Sequence, residues 1–505
     1  MLSAEDRTFF ALVSDATFAN PFSDSRARLD QALGAARALV PAKRGDVARD
    51  LTVVVSQRLG RLRLKDLGRY PDDERLLLEH AVLFELFHRT TSRLDAFIDE
   101  QRAAGDRSLR VPFAREVAGE LTGRGFTDAE ALRYLALFFQ LRRAFLFIDE
   151  SLPGESRSMQ RFRERLWQNL FTHDTRLYAR SLWRRMEDFS TFLVGETGTG
   201  KGTAAAAIGR AAFIPYDPKT ECFAASFEKG FVSINLSQFP ETLVESELFG
   251  HTRGAFTGAT TAHEGVFSRC SAHGAIFLDE IGEASVPLQI KLLRVLQERS
   301  FTPVGGHDAL RFSGRVVAAT NRTLHELRAG GFREDFYYRL CSDVIVVPTL
   351  RERLQEAPGE LAGLVRVILA RMLGARADAA DADAAPGEGA PPLAATVLRT
   401  LERDVGMAYP WPGNVRELEQ CIRRILLTGT YEPDRSGTPD RREAALLDVV
   451  GEDTLKELTA RYCRALYARY GSYEEVARRA ALDRRTVKAY VHDRAEAGRR
   501  RGSGG

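Results

Sequence analysis

Apolar positions recur at three- and four-residue spacing through the first 165 or so residues, as in Leu76-Leu77-Leu78, Val82-Leu83, Leu86-Phe87 and from Leu132 to Phe147. That period predicts helices, with Asn20-Pro21 and Pro71 as breaks. Pro153-Gly154 marks the end of this region, and a helix from about Ser156 to Leu170 leads onward without a long linker. Coupling across that junction is therefore expected to be mechanical and short-range. The pattern then changes. Thr191 to Val194, Phe231 to Asn235, Ala275 to Leu278 and Val316 to Ala319 are short apolar runs, as strands of a parallel sheet are. After Pro348 a helical pattern returns, interrupted by Ala377 to Pro392, whose Ala, Asp, Gly and Pro content predicts disorder. Tyr431 to Arg442 reads as a linker, Leu455 to Tyr470 as an amphipathic helix, and Tyr473 to Val491 as two short helices around a tight turn.

Chemistry gathers at the ends of the apolar runs. Gly195-Glu196-Thr197-Gly198-Thr199-Gly200-Lys201 follows the first and precedes a helix, which is the setting of a phosphate-binding loop. Glycines let main-chain amides converge on the β-phosphate, and Lys201 reaches the β- and γ-phosphates. Gly202 stands where Ser or Thr ordinarily ligates magnesium; Thr203 is a candidate substitute, with Asp279 and waters expected to carry the ion. The third run ends in Asp279-Glu280: Asp279 is placed to hold the metal and Glu280 to polarise the attacking water. Asn321 ends the fourth run, where it would sense the γ-phosphate. Between these motifs lies Glu245 to Ala259, in which Gly254-Ala255-Phe256-Thr257-Gly258-Ala259 presents one aromatic and one hydroxyl between glycines. An exposed Phe at a loop tip points to a partner.

On these motifs, residues 168 to 430 closely resemble the bacterial enhancer-binding activators of sigma-54 RNA polymerase, AAA+ ATPases that carry this hexapeptide, and the last fifty residues resemble them more loosely. The chain reads as multidomain, with a helical N-terminal regulatory domain (1–167) that lies outside the resemblance. For the rest the resemblance implies an α/β AAA+ P-loop subdomain (168–348), a helical lid (349–430) with a disordered insertion (377–392), a linker (431–452), and an all-α helix-turn-helix (453–501). It implies ATP and Mg2+ as cofactors and the hexapeptide as the contact to sigma-54 holoenzyme. It gives Asn235 a hydrogen bond to the catalytic glutamate, Arg333 and Arg339 a role in a neighbour's site within a ring, expected to be a hexamer, and Arg416 a phosphate contact from the lid. The Fis-like tail would place Arg484, Arg485, Thr486 and Lys488 toward enhancer DNA, with Asp483 as helix cap and Val487 in the core. Departures are Gly202, where the family generally has Glu; Leu170 to Asp174, in place of a glycine-containing adenine contact; a longer Arg210 to Lys229; and Ala481 for the turn glycine, which would cost about 1–2 kcal/mol in a left-handed conformation.

Composition narrows the rest. At 505 residues the chain is long enough for about three domains, and 44% hydrophobic with 28% charged residues is ordinary for a soluble protein. The longest apolar region, Tyr134 to Ile148, is broken by Arg142-Arg143 and is too short for a bilayer. Glu5, Asp6 and Arg7 precede any apolar core, so no signal peptide is expected and the bacterial cytoplasm is the default. The five cysteines are far apart and read as reduced, mostly buried thiols. Net charge is +3, yet Arg461 to Arg501 holds twelve Lys or Arg against five acids, a local +7 that favours nucleic acid at that end. No receiver-domain acids appear early in the chain, which disfavours phosphorylation-type sensing and leaves the N-terminal signal unnamed. Glu85 and His88 share a helical face as metal ligands do, but without a second copy they read as a helix surface. Two other classes compete. A protein-unfolding machine would need aromatic pore loops and no DNA-binding tail; a non-catalytic scaffold would bind ATP without sustained phosphate release.

Overall fold

The computed structural model describes residues 1–35, 44–62, 67–374, 393–406, 409–433 and 455–492. The expected insertion at 377–392 and nearly all of the linker at 431–452 lie outside the described residues. The chain divides into two compact units, Met1–Glu432 and Pro433–Gly505.

In the first unit the strands are β1 (Thr191–Val194), β2 (Tyr216–Asp217), β3 (Cys222–Phe223), β4 (Phe231–Asn235), β5 (Ala275–Asp279), β6 (Ser300–Phe301), β7 (Leu310–Arg311), β8 (Arg315–Thr320) and β9 (Asp343–Val346). Five of them form a parallel sheet in the order β4-β5-β8-β1-β9. Because successive side chains point to opposite faces, Phe192 enters a core with Ile276 and Val316 while Leu193 enters another with Phe277 and Val317. The second of these cores is continuous with the N-terminal helices. Phe139 and Phe147, on the helix Asp128–Ser151, belong to the same buried cluster as Ala204 and Ile208 of the helix Lys201–Arg210.

The unexpected length of 210–229 has a use here. It forms the β2-β3 hairpin, and Phe223 stacks on Phe139 with ring centroids 4.0 Å apart. Ser226 Oγ donates to the Gly105 carbonyl at 2.6 Å, and Val111 N donates to the Glu221 carbonyl at 2.9 Å. The hairpin therefore ties the helical layer to the sheet.

Three expectations need correction. Glu85 and His88 do not form a helix surface: Glu85 is 2% exposed and pairs with Arg89, while His88 lies against the rings of Phe84 and Phe87. Glu85 is among the buried residues of the helix Asp72–Ala104 and His88 is half-buried, and among the described residues no cluster of three or more metal-ligating side chains occurs. Of the five free cysteines only Cys421 and Cys463 are fully buried, the other three being half-buried. The third concerns Asn235 and belongs with the site. Among the described residues no helix is long and apolar enough to cross a membrane.

The second unit contains helices Leu455–Tyr470, Tyr473–Ala480 and Arg484–His492 around Cys463, Val476 and Val487. Ala481, between the last two, stands at φ 51°, ψ 42°, the left-handed conformation that favours glycine.

Candidate functional site

Strand register brings the motif residues to one edge. Val194 pairs with Thr320 and Asn235 with Asp279, so β1, β4, β5 and β8 all end at the same carboxyl edge, where ligands of open α/β sheets bind. The loop after β1 turns through Gly198 at φ 81° and Gly200 at φ 101°. Gly198 has a second reason to be glycine, since a Cβ there would lie 2.2 Å from the Gly413 carbonyl. Thr199 Oγ1 donates to the Glu196 carbonyl at 2.9 Å and closes the turn. Lys201 is 7% exposed and donates to the carbonyls of Gly195 and Glu196 at 2.8 and 3.1 Å. Burial lowers its pKa, opposed by the nearby Glu280 and Asp279 carboxylates. The loop thus holds a desolvated cation ready for an anion.

Asp279 Oδ2 accepts from Asn235 Nδ2 at 3.3 Å, and its Oδ1 accepts from Glu280 N at 3.1 Å. Asn235 therefore bonds the Asp279 carboxylate, not the glutamate that the resemblance assigned to it. The reason is register: Asn235 and Asp279 are direct cross-strand partners, whereas Glu280 has turned away at φ 54°, ψ 45°. Glu280 Oε2 instead accepts from Asn321 N at 3.4 Å, and Asn321 Nδ2 donates to Thr197 Oγ1 at 3.4 Å. Asn321 thus bridges the acid and the phosphate loop.

The lid closes the other side. Arg416 lies against the loop, its Cβ 2.9 Å from where a Gly198 Cβ would stand, and Val415 N donates to the Gly198 carbonyl at 3.1 Å. Sequence reasoning passed over Asn414. Fully buried at φ 52°, it donates to Glu196 Oε2 at 3.0 Å and to the Thr197 carbonyl at 3.1 Å, and accepts from Leu350 N at 2.8 Å. The signal for it was the turn Trp411-Pro412-Gly413, after which an Asn tolerates a left-handed backbone.

The remaining site residues are dispersed. Gly202 is exposed and Thr203 half-buried in the first helical turn. Arg333 forms an ion pair with Asp335 at 2.7 Å, while both Nε and Nη2 of Arg339 donate to the Leu296 carbonyl, so the more exposed Arg333 is the freer to reach outward. At the departure near residue 170, Thr172 takes φ 64° behind the wholly buried Phe171.

The hexapeptide is a closed turn: Gly254 N donates to the Ala259 carbonyl at 2.8 Å and Ala259 N to the Phe256 carbonyl at 3.0 Å, with Gly254 at φ 80° and Gly258 at φ 99°. Phe256 is 38% exposed, its ring edge-on to His251 at 4.9 Å, and Thr257 is exposed beside it. Ala255 is half-buried near Gly305, and Ala259 is buried at the root. His251 anchors that root through main-chain bonds with His263 and through ring contacts to Ser246 Oγ at 2.7 Å and the Thr261 carbonyl at 3.0 Å. A continuous path joins it to the phosphate side: Asn235 Oδ1 accepts from Ser237 at the start of the turn that leads into the helix Glu241–Phe249, which ends at Gly250.

In the separate C-terminal unit Asp483 Oδ1 accepts from Thr486 N at 3.0 Å and caps the last helix. Arg484, Arg485 and Lys488 are exposed, and Val487 is buried. Arg484 pairs with Glu474 at 2.9 Å, and Thr486 is half-buried with its hydroxyl on Asp483.

A parallel sheet carrying a glycine loop and lysine, paired carboxylates and a polar strand end, covered by a helical layer, fits a P-loop domain of the AAA+ fold. Residues 175–346 match the family model described as "Sigma-54 interaction domain". Over this segment the chain is similar to bacterial regulatory proteins. It is 44% identical over 242 residues to the Nif-specific regulatory protein of Azotobacter vinelandii, covering 47% of this chain and 40% of that protein. It is 35% identical over 316 residues to the transcriptional regulatory protein ZraR of Klebsiella oxytoca, covering 60% and 63%. The chain thus spans less than two thirds of either relative. The crystal structure of NtrX from Brucella abortus in complex with ATP aligns at TM-score 0.38 and 21% identity, covering 75% of this chain and 80% of that one.

Proposed function

We propose that the protein is a sigma-54-dependent transcriptional activator that binds enhancer DNA through its tail and uses ATP hydrolysis in a ring, a hexamer, to convert the closed promoter complex to the open one. The observation that carries this reading is the hexapeptide turn, exposed at Phe256 and Thr257 and joined through Gly250 and the helix Glu241–Phe249 to Asn235 beside Asp279. The glycine cradle, the desolvated Lys201 and the free carboxylate edge fit a nucleoside triphosphate with magnesium, which supplies when bound the hydrolysable γ-phosphoryl group and its neutralising cation. Backbone amides of Gly195 to Gly200, with Thr203 in the next turn, orient the phosphates, Lys201 exchanges its two loop carbonyls for them, and Arg416 meets them from the lid. Asp279 would hold the metal and Glu280 would take up the proton of the attacking water, with Asn321 aligning Glu280 against the loop. Arg333 from a neighbouring copy neutralises charge in the transition state, with Arg339 holding its helix to the Leu296 carbonyl. Arg484, Arg485, Thr486 and Lys488 face enhancer DNA.

The loop does work only if ATP-like and ADP-like states hold it differently. Replacing Thr257 with Val is therefore expected to leave phosphate release intact and abolish open-complex formation, whereas Glu280→Gln abolishes both while ATP still binds. Simultaneous loss of hydrolysis and open complex in Thr257→Val would reduce the loop to a structural element.

A further inference from the structure

A cavity of about 410 Å3 lies at the amino edge of the sheet, opposite the phosphate loop, where β5 begins at Ala275 and β8 at Arg315. Its volume is that of a small-molecule site, which typically has about 300–1,000 Å3. Trp183, Phe213 and Tyr178 contribute aromatic rings to its wall. Trp183 and Phe213 stand with ring centroids 4.6 Å apart, and the buried Tyr178 and Gln140 complete one side, the Tyr178 hydroxyl donating to Gln140 Oε1 at 2.8 Å.

One wall residue is out of keeping with that lining. Arg315 is 6% exposed, and among the described residues no carboxylate lies within ion-pair distance of it. Its Nε donates to the Phe189 carbonyl at 3.0 Å, and its Nη2 to the Asn169 carbonyl, Asn169 Oδ1 and Thr191 Oγ1 at 3.1, 2.9 and 3.1 Å. Nη1 has no protein acceptor among the described residues. The acid whose field it feels, Asp343, is already engaged by Arg165 at 2.6 Å and Asn169 at 2.7 Å. A buried guanidinium without a counter-charge is costly, and burial has pushed this one down to about 10. The wall carries two arginines, Arg184 and Arg315, against one carboxylate, Glu187. His273, also in the wall, is pushed toward its neutral form by burial.

We propose that this cavity binds a small aromatic carboxylate, with its ring against Trp183 and Phe213 and its carboxylate on Arg315 Nη1. Such a ligand supplies the missing counter-charge in the low dielectric, where a charge-assisted bond is strong. It also touches the far ends of two elements whose near ends face the phosphates. Ile208 and Ala212 lie at the end of the helix that Lys201 begins, and Arg315 begins the strand that leads to Asn321. The same helix end is held by Gln140, whose Nε2 donates to the Ala211 carbonyl at 3.0 Å. Occupancy is thereby transmitted to the nucleotide site. Binding itself is independent of the sigma-54 reading.

The test is calorimetric titration of the full chain with 2-naphthoate and with neutral 2-naphthamide. The account expects one equivalent of naphthoate to bind and the amide to bind at least about ten-fold more weakly, ~1.4 kcal/mol. Ala272→Trp, which fills the cavity from its exposed rim, and Trp183→Ala are each expected to weaken naphthoate by about ten-fold or more, and neither alters Arg315. No binding, equal binding of acid and amide, or binding indifferent to Ala272→Trp would overturn the site. Because linkage is reciprocal, naphthoate affinity must differ with and without ATP; equal affinities would overturn the transmission.

Discussion

Asn414, in the lid, donates to Glu196 Oε2 in the phosphate loop at 3.0 Å while its backbone stands at φ 52°. One buried side chain therefore joins the helical segment after Pro348 to the loop after β1. It also fixes the start of the lid, because its Oδ1 accepts from Leu350 N.

Asn414→Ala is expected to lose about 2–4 kcal/mol of stability in urea unfolding, since it leaves buried donors and acceptors unpaired and keeps a left-handed backbone. Asn414→Gly relieves the backbone but not the lost bonds, so it should recover about 1 kcal/mol of that. Both are expected to weaken ATP binding in a fluorescent-nucleotide titration.

A second relationship concerns the helical layer. Arg143, wholly buried with its guanidinium over the Phe139 ring, donates to the carbonyls of Arg210 and Ala212 at 2.6 and 2.8 Å, where the helix after the phosphate loop ends. A cation at a helix C-terminus is favourable, although burial pushes this one down to about 9. A fragment starting near residue 160 would strip these caps and expose Ala204 and Ile208. It is expected to aggregate or to release phosphate more slowly than the full chain. In the full chain, Arg143→Met is expected to cost about 3 kcal/mol. A fragment as stable as the full chain, and as active, would mean that the layer is an independent domain.

Acid should loosen the same layer. Burial pushes His80, beside Ser14 Oγ and near Arg176, down to about 4, and His88 to about 3. In the unfolded chain both titrate near 6.5, so below that pH the unfolded state binds more protons and the native state loses stability. The contribution is complete above pH ~6.5 and declines as pH falls toward 4 and 3. Thermal unfolding across pH 7 to 4 is expected to be less steep in His80→Gln.

In the C-terminal unit Ala481 occupies a left-handed turn at φ 51°. Ala481→Gly is expected to stabilise that unit by about 1 kcal/mol, measured by thermal unfolding.

Much of this site was legible because its chemistry is local in sequence: Lys201, Asp279, Glu280 and Asn321 each follow an apolar run whose strand fixes their position. What escaped depends on long-range register. Asn235 was assigned to the wrong carboxylate because only strand pairing shows which acid faces it. Asn414 lies 218 residues from its partner Glu196. Arg143 looked like an interruption of an apolar helix, yet it is wholly buried and hydrogen-bonded, and the carbonyls that it serves are 67 and 69 residues away. Arg315, at the start of a strand, gave no signal of the cavity beside it. The long 210–229 segment did announce itself by length, but its packing against Phe139 could be seen only in the fold.

The proposed function requires the hexapeptide to meet sigma-54 in a nucleotide-dependent way. The most direct measurement places a photo-crosslinking phenylalanine at Phe256 of the full chain and irradiates it with sigma-54 holoenzyme under ADP, ADP-aluminium fluoride or no nucleotide. A crosslink to the sigma-54 subunit that is strong with ADP-aluminium fluoride and weak with ADP is expected. A crosslink of equal strength in all three states, or none to sigma-54 in any, would contradict it.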